Sequence, residues 1–280
     1  MKTKSFLLLL IIIISSLFAC NNNFIINIFN KKPRVLAHRG SGSIMHIIGK
    51  DTILENTLAA AKYGFANFDG IEIDIQMSKS GTIWLYHNSD IYNTSSHKCI
   101  LNSTDEEILF LNKALPKWKQ LCTLEDVFVY HSLLNKDKYI SLDVKGYFNT
   151  TCLEGRNISN EYQQNIADEI IRLAKNYKLE NSIMIETDYK EVLDHITDNY
   201  DTLKCYFLAY RDFNKKLQEA IDCNYDGLSF SIKDTSLNKA NIKKLHNKGL
   251  TIQIWTIHNN NEKQRALDLG ADFIQSDVVF

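Results

Sequence analysis

In the run Gly70-Ile71-Glu72-Ile73-Asp74-Ile75-Gln76, polar side chains alternate with isoleucines. Extended backbone has a period of two, so Glu72, Asp74 and Gln76 share one face and the three isoleucines share the other. Two carboxylates side by side are costly to keep charged unless a cation meets them. Either Lys or Arg partners or a hard divalent ion with oxygen ligands would serve, and for this strand alone both readings stand. Two histidines flank the acids: His38 follows Val35-Leu36-Ala37, and His87 follows Leu85-Tyr86. Imidazole suits proton transfer near neutral pH, and the guanidinium of Arg39 offers a planar fork to phosphate oxygens. A histidine at a strand end is commonly structural. The convergence of His38 and His87 on one acidic strand is what points to acid–base chemistry.

That convergence needs a scaffold. From Arg34 onward, short β-branched runs alternate with helical patterns, the signature of a parallel sheet built from βα units. Eight candidate strands can be counted: 35–38, 70–76, 139–145, 182–186, 204–208, 226–230, 250–256 and 272–275. Eight parallel strands favour an α/β fold closed into a (β/α)₈ TIM barrel. Ile166, Ile170, Leu173, Ala174 and Tyr177 follow helical spacing, and Gly249 and Gly270 follow apolar helical runs as C-cap candidates. Residues 82–87 interrupt the alternation as a strand-like run joined to the acidic strand by Ser78-Lys79-Ser80-Gly81, which reads as a hairpin that swings His87 back towards the acids. Residues 88 to about 122 then form a polar, irregular insertion after the second barrel strand, expected to cap the site, before a helix-like stretch from Thr123 to His131.

The first twenty residues have a different character. Lys2 and Lys4 precede an apolar run, Phe6 to Ile14, and then Leu17-Phe18-Ala19-Cys20. This is the layout of an export signal, and its end resembles a bacterial lipobox in which Cys20 is lipidated and becomes the mature N-terminus. The run is short for a spanning helix of about 20 residues. The reading is a signal peptide over 1–20, a tether over 21–33, and one barrel domain over 34–280 in an exported, membrane-attached lipoprotein. That domain is close to the roughly 250 residues usual for such a barrel.

Lys and Arg number 32 against 33 Asp and Glu, so no long-range field favours nucleic acid, and any anion binding must be local. Cys99, Cys122, Cys152, Cys205 and Cys223 form no close metal-binding pair. Export permits a disulfide, for which Cys99 with Cys122 is a candidate; buried free thiols are the alternative.

Taken together, Ala37-His38-Arg39-Gly40, Glu55-Asn56-Thr57-Leu58, Gly70-Ile71-Glu72-Ile73-Asp74 and Leu85-Tyr86-His87 resemble the glycerophosphodiester phosphodiesterase family in order and spacing. Ile254-Trp255-Thr256 and Gly270-Ala271-Asp272-Phe273-Ile274-Gln275-Ser276-Asp277 resemble its last two barrel strands, so the similarity runs from 34 to 280. The resemblance implies metal-dependent hydrolysis of a glycerophosphodiester to an alcohol and glycerol 3-phosphate. It implies a Ca²⁺ or Mg²⁺ held by Glu72, Asp74 and Asp143, and His38 and His87 as general acid and base. It also implies Arg39 as phosphate ligand, Glu55 and Lys145 facing the same cavity, and Trp255 on the glycerol side.

Three positions depart from the family pattern: Asp143 stands where glutamate is usual, Asn88 where an acid follows the second histidine, and His258 where asparagine is common. Glu186-Thr187 also replaces a frequent Ser-Phe pair. His46, His97, His131, His195 and His246 are expected in loops or helices away from the site, with His258 left open. Two rival functions share the framework: cleavage of intact phospholipid or sphingophospholipid, and noncatalytic binding of glycerol phosphate at a cell surface.

Overall fold

The computed structural model describes residues 32–42, 45–48, 51–91, 98–134, 137–145, 152 and 158–280. The chain divides into Met1–Pro33 and Arg34–Phe280, and the architecture below belongs to the second unit. Cys20 and the proposed signal and tether lie outside the described residues, apart from Lys32 and Pro33. Among the described residues no helix is long and apolar enough to cross a membrane.

The strands are β1 (Arg34–Ala37), β2 (Met45–Ile48), β3 (Asp51–Leu54), β4 (Gly70–Met77), β5 (Ile83–Leu85), β6 (Tyr139–Val144), β7 (Ile183–Thr187), β8 (Lys204–Ala209), β9 (Gly227–Ser231), β10 (Thr251–Ile257) and β11 (Phe273–Ser276). The order β1-β11-β10-β9-β8-β7-β6-β4 is closed by pairing of β1 with β4, and all these pairs are parallel. The fold is therefore a (β/α)₈ barrel, with every predicted barrel strand in place.

The helices are α1 (Leu58–Asn67), α2 (Asp105–Lys113), α3 (Leu124–Ser132), α4 (Asn160–Tyr177), α5 (Lys190–Asn199), α6 (Phe213–Asp222), α7 (Lys239–His246) and α8 (Asn260–Leu269). Ile71, Ile73 and Ile75 are buried with helix residues such as Phe65, Val127 and Ile166 in the main core, which is why the apolar half of β4's alternation faces outward. α4 buries Ile166, Ile170, Leu173 and Ala174, as its spacing predicts. Gly270 caps α8 at φ 88°. At α7 the C-cap is Asn247, and Gly249 comes two residues later.

Inside the barrel, Leu36, Met184 and Tyr206 pack with Tyr139 and Phe273 as an apolar floor near the strand starts. One step up each strand the buried side chains turn polar: Ser141, Glu186, Ser229, Gln253 and Gln275. Buried polar groups need partners. This inner layer is hydrogen-bonded through Glu186, which accepts from Ser141 Oγ at 3.3 Å, Gln275 Nε2 at 2.6 Å and Ser229 Oγ.

The β4–β5 hairpin forms as read, with Ile75 opposite Leu85. Two other stretches are more ordered than their composition suggests. The loop after β1 contains the antiparallel pair β2–β3, which puts His46 on a strand rather than in a loop or helix. The insertion contains α2, begun by a capping box in which Thr104 and Glu107 satisfy each other's backbone N–H groups, with a small core of Trp84, Ile91, Ile100, Ile108 and Leu121 beneath it.

Cys99 is bonded to Cys152, 53 residues away, rather than to Cys122. Cys122 is held elsewhere, because its carbonyl accepts from Leu85 N on β5 at 3.0 Å.

Asp105 at the start of α2 pins the insertion to the hairpin by accepting from Ser78 Oγ (2.7 Å), Thr82 Oγ1 (2.5 Å) and Trp84 Nε1 (3.0 Å). Burial would raise this carboxyl, but the three donors outweigh it and lower it from the ordinary value. A lowered acid contributes stability above its unfolded pKa and loses it as pH falls through the folded one. Asp105→Ala is expected to cost about 1.5–3 kcal/mol, the range for hydrogen bonds to a charged group. Amide exchange should accelerate first over 98–113. Equal protection in variant and wild type would contradict this role.

Candidate active site

The site sits at the C-terminal ends of the barrel strands, where the chain leaves β1 through His38-Arg39-Gly40. Arg39 occupies left-handed backbone space, φ 53° and ψ 32°, a conformation that costs a non-glycine residue about 1–3 kcal/mol and persists only when its surroundings enforce it. Here Arg39 N donates to Glu72 Oε2 (2.8 Å), and Asn56 N donates to the Arg39 carbonyl (2.9 Å). α1 also presses against this turn at Gly64, where a Cβ would lie 2.1 Å from the Gly40 carbonyl oxygen. The turn is thus held from β4, from α1 and from the loop before it.

A cavity of about 230 Å³ opens there, lined among others by His38, Arg39, Glu72, His87, Asp143, Lys145, Trp255, Tyr210 and His258. The two predicted histidines therefore face one space. None of the described residues of the insertion lines it, contrary to the expected cap. α2 instead has its own small core, Trp84 and Ile108 among it, beside the hairpin.

Each histidine has a distinct support. His38 Nδ1 lies 2.7 Å from Asp277 Oδ1, and His258 Nδ1 lies 2.6 Å from the other oxygen, Oδ2. Burial alone would raise Asp277, but hydrogen bonds and charge from His38 and His258 lower it, so it is an ionised acceptor at neutral pH. His38 then carries its proton on Nδ1 and turns Nε2 towards Glu72 Oε2, 3.9 Å away. His87 Nδ1 meets Asn88 Oδ1 at 3.0 Å, while Gln76, on the acidic face of β4, donates to the carbonyls of Tyr86 and Asn88 at 2.8 Å each and holds the His87 segment in place.

The carboxylates are not equivalent. Asp74 Oδ1 is 2.9 Å from Lys145 Nζ, and Oδ2 accepts from Asn56 Nδ2 at 2.6 Å. Burial would raise Asp74, but Lys145, His87 and Arg39 together hold it well below the ordinary carboxylate range. Glu72 is pushed well above that range by burial and by the neighbouring charges of Asp74, Glu186 and Asp143. Asp143 is raised by burial and by Asp74 against the pull of Lys145, which bonds its Oδ2.

One oxygen each from Glu72, Asp143 and Glu186 lies within 4.8 Å of the others. Asp143 Oδ1 is buried with no hydrogen-bond partner. An all-oxygen donor set with a stranded carboxylate oxygen fits a hard divalent cation.

Two stranded donors complete the cavity. Arg39 Nη1 is bound to Glu55 Oε2 at 2.8 Å, but its Nε, 3.7 Å from Asp74, has no hydrogen-bond partner. The indole nitrogen of Trp255, whose ring stacks edge-on against Tyr210, has none either. Arg39, Lys145, Trp255, Glu72 and Asp143 thus line one opening together with Glu186, whereas Glu55 and Asp74 are not in its lining and instead bind Arg39 and Lys145. Asn56 and Asp277, which like Glu186 sequence reasoning did not assign, support Asp74 and His38.

Compared with known proteins, residues 38–279 match the model of the glycerophosphoryl diester phosphodiesterase family. The chain belongs to that family. As a member it is an enzyme, a phosphoric diester hydrolase acting on glycerophosphodiesters. YqiK of Bacillus subtilis (strain 168), an uncharacterised protein, is 23% identical over 261 residues, covering 87% of this chain and 94% of its own. A phosphodiesterase of Oleispira antarctica, solved with the product sn-glycerol-3-phosphate, shares the fold at TM-score 0.69 and 17% identity, covering 88% and 94% of the two chains. A glycerophosphodiester phosphodiesterase of Parabacteroides distasonis does so at TM-score 0.69 and 19% identity, covering 88% and 93%. Within this glycerophosphodiester phosphodiesterase domain, the family match begins at His38 and includes every site residue named above.

Proposed function

We propose that this member hydrolyses small glycerophosphodiesters to an alcohol and glycerol 3-phosphate, using a divalent cation, Ca²⁺ or Mg²⁺, and the histidine pair His38 and His87. The observation that carries the reading is the convergence, on one cavity, of two supported imidazoles, a carboxylate cluster with a stranded oxygen, and two stranded N–H donors.

Glu72 and Asp143 would hold the cation, with Asp74 beside them bound to Lys145 and Asn56, and the ion would supply neutralisation of charge on a phosphoryl oxygen. Arg39 Nε donates to a second phosphoryl oxygen, with its guanidinium plane fixed by Glu55. Trp255 Nε1 is placed to donate to a glycerol hydroxyl. His38, with Nδ1–H on Asp277, accepts through Nε2 the proton of the substrate's neighbouring glycerol hydroxyl as that oxygen bonds to phosphorus and the bond to the alcohol breaks. His87 delivers a proton to the leaving alcohol. Water then opens the resulting cyclic phosphate to glycerol 3-phosphate. Lys145 lies between Asp74 and Asp143 and keeps their combined charge from repelling the phosphate.

The test is a panel of glycerophosphodiesters and intact phospholipids incubated with the full chain in mild detergent. Glycerol 3-phosphate release from the diesters alone is expected. Turnover confined to intact lipid would favour the phospholipase reading, and binding without turnover would favour the noncatalytic one.

We also propose an exported lipoprotein anchored through Cys20, with the residues before Cys20 removed as a signal. The lipobox-like run supports it, and the Cys99–Cys152 bond suits an oxidising compartment. Cys20→Ala is expected to abolish lipid labelling and move the protein out of the membrane fraction. An unlabelled wild type, partitioning like the variant, would contradict this.

A further inference from the structure

We propose that Glu186 is a direct ligand of the divalent cation, completing with Glu72 and Asp143 a three-carboxylate set on neighbouring strands. The proposal rests on the metal-assisted reading above and adds to it a residue outside the expected ligand triad.

Glu186 stands opposite Asp143 in the β6–β7 register, and Asp143 stands opposite Asp74 in the β4–β6 register, so three adjacent strands each present an acid at one level. Only part of this row faces the gap. Asp74 has its charge met by Lys145 Nζ at 2.9 Å and accepts from Asn56 on its other oxygen, whereas the three donors to Glu186 are neutral groups. Oxygens of Glu72, Asp143 and Glu186, by contrast, lie within 4.8 Å of one another. Ligand oxygens sit about 2.0–2.6 Å from Mg²⁺ or Ca²⁺, so two on opposite sides of one ion are roughly 4–5 Å apart. The cluster thus has the spread of a coordination shell.

The second, independent observation is Asp143 Oδ1. The residue is only 8% exposed, yet this oxygen has no hydrogen-bond partner. An aspartate reaches one methylene less far than a glutamate, and Glu186, on the next strand, brings a longer acid into the same space. Its own surroundings suit a ligand: Ser141, Ser229 and Gln275 all donate to it, fixing the orientation of the carboxylate. Such outer contacts are how proteins aim a metal-binding group. The bland alternative is a neutral acid that merely ties the inner polar layer together.

The two are separated by calorimetric titration of the full chain, in detergent and stripped of metal, with Mg²⁺ or Ca²⁺ alone. Glu186→Gln keeps the side chain's size and a hydrogen-bonding amide, and should weaken ion binding about tenfold or more. Adding Asp143→Glu to that variant should recover much of the loss, because the longer acid reaches back into the gap. Unchanged affinity in a folded Glu186→Gln chain would overturn the proposal. If that variant does not fold, Glu186→Asp carries the same comparison: weakened binding supports the ligand role and wild-type binding overturns it. A wild-type chain that takes up neither ion would overturn the metal reading itself, and this inference with it.

Discussion

Replacing His38 or His87 by alanine is expected to lower kcat for glycerophosphodiester hydrolysis by on the order of 10²–10⁴, the usual contribution of a positioned acid or base. KM should change less, because in the proposed mechanism Arg39 and the ion would still hold the phosphate in either variant. Both imidazoles line the same cavity, and neither belongs to the apolar core, so the variants should fold. Asp277→Asn tests the same machinery one step away. The amide can offer the imidazole an oxygen but no charge, so a smaller loss, roughly 10- to 100-fold in kcat, is expected with His38 still present. His131, His195 and His246 serve as controls: each is engaged away from the cavity, with the Lys138 carbonyl, Asp168 and Asp272 respectively. Alanine at His195 should leave turnover unchanged. Steady-state kinetics on these variants would contradict the assignment if His38→Ala or His87→Ala kept wild-type kcat under saturating substrate.

Glu72→Ala should be at least as damaging, with activity falling on the order of 10³-fold or more, since it removes both a proposed metal ligand and the acceptor that fixes Arg39. Its effect on folding should be small. A carboxyl pushed well above its ordinary value by burial and three neighbouring acids destabilises the metal-free protein, and its removal relieves that crowding. Loss of the acceptor for Arg39 N offsets part of that relief, so the metal-free variant is expected to melt close to the metal-free wild type. Asp74→Ala should differ in kind. It takes from Lys145 one of two carboxylate partners and from Asn56 its side-chain acceptor, so its metal-free melt should fall below that of the Glu72 variant. Metal stoichiometry measured beside thermal melts distinguishes the two. A Glu72→Ala chain that binds the ion with wild-type stoichiometry would remove Glu72 from the site.

The barrel is legible in the sequence because each strand announces itself locally: alternation in β4, and β-branched runs separated by helical spacing elsewhere. The hairpin that brings His87 back is legible for the same reason, through Ser78-Lys79-Ser80-Gly81. The insertion helix was within reach too, since Thr104 and Glu107 stand at capping-box spacing; overall polarity obscured it. β2 and β3 left a similar trace in Ile47, Ile48, Thr52 and Ile53 around Gly49-Lys50.

Other members of the site depend on closure of the barrel rather than on local pattern. Glu186 and Asp143 are 43 residues apart in number and become neighbours only through strand register. Asp277 meets His38 across 239 residues because the last strand pairs with the first. Asn56 could be seen in its motif, but that it bridges both the side chain and the backbone of Asp74 requires the packed turn. Cys152 offers no local sign that it, rather than Cys122, would reach Cys99.

The most direct test of metal-assisted histidine catalysis is phosphorus NMR of the full chain in detergent with glycerophosphocholine, recorded before chelation, after exhaustive chelation and after return of Ca²⁺ or Mg²⁺. The diester resonance should give way to that of glycerol 3-phosphate, stop changing in chelator and resume with the ion, and it should persist throughout in His38→Ala. Conversion that continues at an undiminished rate after chelation, or in the His38→Ala chain, would contradict the mechanism.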